Sequence, residues 1–434
     1  MPGPPPRSPR SRPTRAPEAM DHFQLRRGAL SCEGVPLAAI AARVGTPTYV
    51  YSLATLRRHY RVVDRAFAGQ RRVVAYSVKA NGNLALLRAL AGWGSGFDVV
   101  SAGELARVQR AGGDPARTVF AGVGKTEDEL AYALRAGVGM FNVESAEELD
   151  ALDRVGRRLR RPAPFAIRVN PGVDARTHRH IATGLPTSKF GVRFEEARAL
   201  YARARSMRGL RARGVDCHIG SQLTQLPPLA RALRQVSRLY RELRSAGLAL
   251  EWLDVGGGLG IRYRDETPPS PEAWARTVRE ATAGTGATVL LEPGRVLVGN
   301  AGVLLTRVLY RKIAGGRTLV IVDAGMNDLL RPALYGAEHA IVPVVPRRGR
   351  PTTVDVVGPV CESTDVLGRG RRLVLPAQGD LLAIRGAGAY GMVMASTYNG
   401  RPRPAEVLVD GRKARVVRRR ESVEDLWRGE SPGR

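Results

Sequence analysis

Short apolar runs alternate with amphipathic stretches between residues 70 and 295. Eight runs rich in valine, leucine and phenylalanine are each separated by stretches in which arginine, alanine and leucine recur at helical spacing. Stretches such as 101–113 begin with a serine near an acid and end in glycine, as capped helices do. Apolar strands that alternate with such helices are typical of a parallel sheet covered on both faces. The eight runs are 73–79, 97–101, 118–122, 140–144, 164–170, 214–221, 251–257 and 288–295.

Eight such units predict a (β/α)8 barrel, since eight parallel strands are the number at which this fold closes. An open, doubly wound sheet is the weaker alternative. After residue 300 the pattern changes to successive strand-like runs separated by glycine, proline and aspartate, which predicts an antiparallel β-barrel or sandwich domain. The predicted organisation is a tail at 1–19, a strand region at 20–47 that joins the β domain, the barrel at 48–300 and the β domain at 301–434.

The composition indicates a protein of a reducing compartment, and we expect it in the cytoplasm. Three cysteines in 434 residues form neither a disulfide framework nor a CxxC metal pair. Residues 1–19 are rich in proline and arginine, so we expect them to be disordered, and they lack the apolar segment of a secretory signal. Apolar runs stay well short of eighteen residues, which predicts no membrane span.

The formal charge of +28 raises the question of nucleic-acid binding. The basic residues, however, are spread along the whole chain, are mixed with acids in helix-like stretches and do not alternate with aromatic residues. No recognised nucleic-acid-binding module is present. We therefore interpret the excess charge as a solvated surface and expect neither a nucleic-acid nor a membrane partner.

One lysine follows the first predicted strand, in a chain that has five lysines and sixty-three arginines. Lysine forms a Schiff base with an aldehyde, whereas arginine does not give up its proton. Catalytic residues of such barrels lie at the carboxyl ends of strands, and the other predicted ends are also polar. The polar residues and glycines at these ends are Lys79, Asp98, Glu144, Arg168, His218, Ser221, Gly256 to Gly258, Glu292 and Arg295.

A glycine run follows the seventh predicted strand, at 254–260, and such runs let backbone N–H groups approach a phosphate. The eighth strand ends in Glu292 and Arg295, a carboxylate able to pair with a heterocyclic nitrogen and a guanidinium able to pair with a carboxylate. Taken singly, each feature has an ordinary structural explanation, such as a salt bridge at the barrel rim. No HExxH motif, histidine pair or acidic cluster in the sequence points to a metal site, so we expect none.

Ten short motifs follow one another along the chain: YSVKAN, FDVVSAGE, THRHIATG with SKFG, HIGSQ, DVGGGLG, EPGR, DAGMNDLLRPALYGAEH, GPVCESTD, GAGAYG and TYNGRPRPAEVLVDG. They occur in the order seen in pyridoxal-phosphate-dependent decarboxylases of the alanine-racemase fold. The chain resembles that family over roughly residues 20–425, and most strongly its diaminopimelate decarboxylases.

The resemblance implies pyridoxal 5'-phosphate as the cofactor. Lys79 would hold it as an internal aldimine, with Asp98 near that lysine and His218 stacked on the pyridine ring. Glu292 would face the ring nitrogen and keep it protonated. The implied phosphate site consists of Ser221, Gly257, Gly258, Gly294, Arg295 and Tyr390.

The resemblance also implies how the substrate is held. Substrate carboxylates would be bound by Arg295, Arg331 and Tyr335, with Tyr390 nearby, while Glu362 would meet the distal ammonium. Cys361 would protonate the quinonoid carbon. In this family the loop that carries Cys361 and Glu362 enters the active site of the other subunit, so a homodimer with shared sites is implied.

The implied reaction is the decarboxylation of meso-2,6-diaminopimelate to L-lysine and CO2. The alternatives are a related decarboxylase of ornithine, arginine, carboxynorspermidine or a carrier-bound amino acid, a racemase on the same fold, and a non-enzymatic carrier of the cofactor. His180, Thr364 and Gly386 depart from the usual family pattern. None of the three replaces a proposed catalytic group, but Thr364 lies beside the acidic loop and leaves substrate preference open.

Overall fold

A computed structural model describes residues 21–174, 188–263 and 266–433. The predicted tail at 1–19, His180 and the THRHIATG part of one motif lie outside the described residues. The expected fold class is confirmed, because the chain forms a closed barrel of eight parallel strands and a separate domain built mainly of sheet.

The N-terminal region forms a small sheet of its own. Strands β1 (Phe23–Arg26), β2 (Ala29–Cys32) and β3 (Val35–Pro36) pair antiparallel and precede helix α1 (Leu37–Val44). The strand that joins the β domain is the next one, β4 (Thr48–Ser52), which we expected to begin the barrel domain. Every residue of β4 is buried, as is usual for a strand of a parallel barrel, so burial alone does not show to which sheet this strand belongs. Helix α2 (Leu53–Ala66) then leads into the barrel.

The barrel strands follow one another around the ring in chain order, and the last pairs with the first. Val289 of the last strand is in register with Arg72 of the first. Each strand overlaps its predicted run but is shorter than that run, and most of its residues are buried. The strands are β5 (Arg72–Ser77), β6 (Gly96–Val99), β7 (Thr118–Phe120), β8 (Met140–Val143), β9 (Ala163–Arg168), β10 (Leu210–Asp216), β11 (Trp252–Asp254) and β12 (Thr288–Leu291).

Helices follow the barrel strands and bury their apolar faces against them. Several begin at a serine or threonine whose side chain accepts a hydrogen bond from the first turn, and Thr126 with Glu129 forms a full capping box. The helices are α3 (Leu84–Gly92), α4 (Ala102–Arg110), α5 (Glu127–Ala136), α6 (Ala146–Arg158), α7 (Phe194–Ala204), α8 (Pro227–Ser245), α9 (Pro271–Thr282) and α10 (Arg295–Val298).

The second domain is a nine-stranded sheet that includes β4. Most of its pairs are antiparallel, as predicted, but β4 runs parallel to one neighbour and two later strands are also parallel to each other. A short helix, α11 (Arg331–Tyr335), lies among its strands. The strands are β13 (Gly302–Ala314), β14 (Arg317–Val322), β15 (Ile341–Pro343), β16 (Thr352–Val357), β17 (Val366–Leu373), β18 (Leu381–Ile384), β19 (Ala405–Asp410) and β20 (Lys413–Arg418).

Candidate active site

A cavity lies at the carboxyl ends of the barrel strands. Its walls come from the loops after β5, β10, β11 and β12 and from one loop of the β domain, so five segments that are distant in sequence meet there. Most of the predicted cofactor residues line it. The lining residues are Ser77, Lys79, His218, Ser221, Gly258, Leu259, Glu292, Gly294, Arg295, Val296 and Tyr390.

Lys79 projects from a short 3-10 turn directly after β5. Its Nζ lies 2.5 Å from Oδ2 of Asp98, a fully buried residue on β6. Burial alone would lower the pKa of Lys79, but the Asp98 carboxylate outweighs this effect and the pKa is raised. The amine is therefore a cation, and it is paired with the carboxylate of Asp98.

Buried carboxyl groups form the floor of the cavity. Burial raises the pKa of Glu292 well above its usual value, and the neighbouring Asp254 raises it further. Burial raises the pKa of Asp254 as well, to about 6. Asp254 also accepts hydrogen bonds from Asn142 Nδ2 at 3.0 Å and from the Gly256 N–H at 2.9 Å. These two donors favour the charged form of Asp254, so Asp254 is the anion of the pair and Glu292 carries the proton.

His218 stands over the glycine run that follows β11. Its Nδ1 accepts a hydrogen bond from the Gly257 N–H at 3.2 Å, which requires a lone pair on that nitrogen. Burial lowers the pKa of His218 well below its usual value, and the positive charge of Arg168 lowers it further. The imidazole is therefore neutral. Gly256 allows this close approach, since a Cβ there would lie 2.5 Å from Nδ1 of His218.

Arg295 is a buried cation that also lines the cavity. Its Nη2 donates to Ser221 Oγ at 3.0 Å and its Nη1 donates to the Tyr263 hydroxyl at 2.7 Å. Its guanidinium carbon lies 4.9 Å from the centre of the Tyr390 ring. Tyr390 is held by a 2.8 Å hydrogen bond from its N–H to the carbonyl oxygen of Ala80, next to Lys79. These contacts bring together residues that we expected to bind phosphate and substrate.

The cavity fits pyridoxal phosphate in three respects. Lys79 offers an amine to an aldehyde, and Arg295 and Ser221 offer donors to an anion. Glu292 Oε1 and Arg295 Nε are buried without a hydrogen-bond partner among the described residues. Because buried polar atoms are almost always paired, these two atoms indicate that a polar ligand completes the site.

A second guanidinium lies close to Arg295. Arg331, the first residue of α11, has its guanidinium carbon 4.6 Å from the centre of the Tyr263 ring, which Arg295 also contacts. Burial lowers the pKa of Arg331, and the like charge of Arg295 adds to that effect. Tyr335, at the end of the same helix, is near enough to affect the pKa of Arg295. Two like charges around one tyrosine favour an anion between them.

Cys361 and Glu362 lie elsewhere. Both are exposed in a loop of the β domain, and neither lines the cavity of the same chain. The Cys361 N–H donates to Asn399 Oδ1 at 2.7 Å, and the Glu362 carboxylate accepts from the Tyr398 hydroxyl at 3.3 Å. Within one chain, the predicted acid and its neighbouring carboxylate are thus separated from the predicted cofactor residues.

Sequence reasoning missed three residues of the site. Ser77, whose Oγ lies 2.7 Å from Asp98 Oδ2, and Asp254 were within motifs that we quoted, but their polar side chains were not singled out. Tyr263 lies just after the glycine run and carried no motif signal. A buried polar residue inside an otherwise apolar strand, as at Asp254, was the one signal available.

Two properties of the described residues bear on other classes of protein. No helix among them is long and apolar enough to cross a membrane. Within the same ranges, no group of three histidine, cysteine or acidic residues is placed to hold a metal ion.

Residues 53–299 match the family model of the pyridoxal-dependent decarboxylases, pyridoxal binding domain. Over 412 residues the chain is 54% identical to the diaminopimelate decarboxylase of Pseudomonas aeruginosa, an alignment that covers 95% of this chain and 99% of that protein. Two solved structures are also similar. Helicobacter pylori diaminopimelate decarboxylase with L-lysine aligns at a TM-score of 0.88 and 41% identity, over 90% of this chain and 98% of that one. The diaminopimelate decarboxylase of M. jannaschii with L-lysine aligns at a TM-score of 0.91 and 36% identity, and the alignment covers 95% of this chain and 98% of that one.

Proposed function

The chain belongs to the pyridoxal-dependent decarboxylases, and we propose that it converts meso-2,6-diaminopimelate into L-lysine and CO2. The observation that carries this proposal is the similarity to diaminopimelate decarboxylases over nearly the full length of both chains. The second guanidinium, Arg331, supports the choice of substrate. An amino acid with a carboxylate at its far end has a use for that cation, whereas ornithine and arginine have no carboxylate there.

Lys79 is the proposed covalent anchor. Pyridoxal phosphate, when bound, supplies an electron sink for the carbanion that remains after CO2 departs. Before its amine attacks an aldehyde, Lys79 must lose the proton that its contact with Asp98 Oδ2 holds on Nζ. The 2.7 Å contact between Ser77 Oγ and the same carboxylate oxygen keeps Asp98 turned towards the lysine.

Glu292 and His218 provide the electrostatic setting. The proton of Glu292 and the unpartnered Oε1 on the same carboxyl group suit a heterocyclic nitrogen, to which a proton can be given and with which an ion pair then forms. The negative charge of Asp254 helps to keep the proton on Glu292. A neutral His218 can lie against the pyridine ring without a positive charge of its own, which would oppose the protonation of the ring nitrogen by Glu292. We propose Glu292 and His218 as the groups that orient the pyridine ring.

The anionic parts of the ligands are assigned to the part of the cavity around Arg295. We place the phosphate against Ser221, the backbone of Gly257 and Gly258, and the turn at Gly294, with Arg295 and Tyr390 beside it. Arg331 and Tyr335, together with Arg295 and Tyr390, then face the substrate. Two observations support this assignment. The Nε of Arg295 has no partner among the described residues, and the guanidiniums of Arg295 and Arg331 both lie against the ring of Tyr263.

The proton donor is proposed to come from a second copy of the chain. Cys361 and Glu362 are exposed and lie away from the cavity of their own subunit. In a homodimer, the loop of one subunit would bring the Cys361 thiol to the carbon that has lost CO2, and Glu362 to the distal ammonium. We also propose a cytoplasmic location, because all three cysteines are free thiols.

Release of CO2 by the purified, cofactor-loaded protein tests the proposal. We expect release from meso-diaminopimelate and none above background from L-lysine, L-ornithine or L-arginine, with L-lysine as the product. A Lys79→Ala variant is the control for cofactor-independent release. Release from ornithine or arginine alone would contradict the proposed substrate, and no release from any amino acid would contradict decarboxylation.

A further inference from the structure

A buried histidine lies behind Arg331 and has no part in the proposed chemistry. His339 is fully buried, between α11 and β15. Its Nε2 lies 3.0 Å from Arg331 Nη1, and its Nδ1 lies 2.9 Å from the backbone carbonyl oxygen of Arg385. Both ring nitrogens are therefore engaged.

The two partners of His339 fix its protonation. A guanidinium only donates hydrogen bonds, so Nε2 must offer a lone pair to Arg331. A carbonyl oxygen only accepts, so Nδ1 must carry the hydrogen that points at Arg385. A protonated ring would leave Arg331 facing a second donor at 3.0 Å. The arrangement requires the neutral ring with its hydrogen on Nδ1, and burial accordingly lowers the pKa of His339 to about 3.

Tyr263 joins His339 to the cavity. Its ring meets the imidazole edge to face, with centres 5.2 Å apart and planes at 75°, and it carries the Arg331 guanidinium carbon 4.6 Å from its centre. Its hydroxyl accepts from Arg295 Nη1. Arg331 is thus held by an acceptor behind it and an aromatic ring beside it, and these two contacts fix the orientation of its guanidinium.

We propose that His339 is a positioning residue that presents Arg331 to the carboxylate at the far end of the substrate. The histidine acts by accepting a hydrogen bond while uncharged, so it orients the guanidinium without neutralising it. A carboxylate in the same position would cancel the charge on which substrate binding depends. The inference rests on the proposed function, and it extends it by naming the group that makes the site selective for amino acids with two carboxylates.

Two variants of the loaded enzyme separate this role from general packing. In His339→Gln, the longer side chain can still place an acceptor near Arg331. In His339→Asn, the amide can still donate to the Arg385 carbonyl but is too short to reach Arg331. We expect the asparagine variant to raise KM for meso-diaminopimelate about tenfold, as the loss of one hydrogen bond to a charged group would. We expect kcat to change little, and the glutamine variant to restore most of the affinity.

Binding of D-lysine provides the matched comparison. D-lysine presents an amino acid of the same configuration at the reacting end but has no carboxylate at the other end. Its dissociation constant, followed through the visible absorbance of the bound cofactor, should be unchanged in both variants. Equal losses for D-lysine and meso-diaminopimelate, or an unchanged KM in His339→Asn, would overturn the inference.

The design keeps the two proposals apart. If wild-type enzyme releases no CO2 from meso-diaminopimelate, the proposed function fails. If the wild type is active and the asparagine variant matches it, only the role of His339 fails. Should His339→Asn not fold, His339→Met fills similar buried space without an acceptor and makes the same comparison.

Discussion

Lys79 and Glu292 face one cavity from neighbouring strands, yet their environments hold them in different states of charge. Asp98 keeps the amine protonated, whereas burial among acids keeps the Glu292 carboxyl neutral. An amine next to a base, beside a carboxylic acid that can give up its proton, is suited to an aldehyde that carries a basic ring nitrogen. At the scale of single residues, the chemistry of the site thus depends on the protons held by Lys79 and Glu292, which their neighbours keep in place.

The choice of lysine at position 79 leads to a direct test. Lys79→Arg keeps the positive charge beside Asp98 but cannot form the covalent link, since arginine does not release its proton. We expect the variant to lose the visible absorbance band of the covalently held cofactor and to fall to background in CO2 release. Thermal unfolding should show a melting temperature close to that of the wild type. A retained band would contradict the assignment of the anchor.

His339 predicts how the cofactor-free protein responds to acid. Its folded pKa lies below its unfolded value, because of burial and the nearby charges of Arg331, Arg295 and Arg371. Its contribution to stability is therefore complete above the unfolded pKa and is lost as the pH falls towards the folded pKa of about 3. Below about pH 6.5 the free energy of unfolding should decrease by about 1.4 kcal/mol per pH unit from this group.

Urea unfolding at several pH values measures this contribution. His339→Gln removes the titrating group, so we expect a shallower decrease between pH 6.5 and pH 4 than in the wild type. The charged groups that act on the ring, Arg331, Arg295 and Arg371, are the same in both proteins. Parallel curves for the two proteins would show that His339 does not titrate on unfolding as its burial requires.

Residues were predictable where their chemistry was rare for this sequence. Lys79 could be singled out because the chain uses arginine almost everywhere else. Tyr263 and His339 could not, because each is an ordinary residue whose importance comes from a contact with a side chain far away in the sequence. The order of the family motifs led to Arg331, but only the structure places it beside Arg295.

At the scale of elements, the loop after β11 is pressed against the end of β12. Gly257 allows this contact, and a Cβ at that position would lie 2.0 Å from the carbonyl oxygen of Glu292. The same loop supplies the N–H that bonds His218. A larger residue at position 257 would therefore displace the end of β12 at Glu292 and also the loop that bonds His218.

Gly257→Ala should therefore weaken cofactor binding more than it affects the fold. We expect the dissociation constant for pyridoxal phosphate, measured by equilibrium dialysis of the cofactor-free protein, to rise at least about tenfold, in line with the cost of overpacking. Gly92→Ala is the matched control, because a Cβ at that position in α3 meets nothing within 4 Å. Equal affinities for the two variants would mean that the loop tolerates the displacement.

The barrel strands were predicted well because burial on both faces gives each of them a continuous apolar run. The same property explains the difference at β4. A strand in the centre of the β domain is also buried on both faces, so the pattern does not say to which sheet it belongs. The parallel pairs of the β domain were not predicted either, since strand composition does not encode the choice of neighbour.

At the scale of the whole molecule, the proposed dimer answers why the predicted acid lies away from the predicted anchor. Mixing two inactive variants tests this arrangement. Lys79→Ala retains Cys361, and Cys361→Ala retains Lys79. If each site combines Lys79 of one subunit with Cys361 of the other, subunits mixed in equal amounts and allowed to exchange should regain about one quarter of wild-type activity.

The fraction follows from symmetry. Random pairing makes half of the dimers mixed, and each mixed dimer has one intact site out of two. Each variant refolded alone is the control and should stay at its own background. Mixed samples that show only the average of the two backgrounds would place both residues in sites formed by one chain.

The position of β4 also has a consequence for synthesis of the chain. Val50 is in register with Val303 on one side and with Val407 on the other, so this early strand pairs only with segments made much later. The barrel strands, by contrast, each find a neighbour in the adjoining unit of the chain. Because contacts distant in sequence form slowly, the barrel can fold on the ribosome while β4 is still unpaired. Completion of the β domain is thus tied to release of a nearly finished polypeptide.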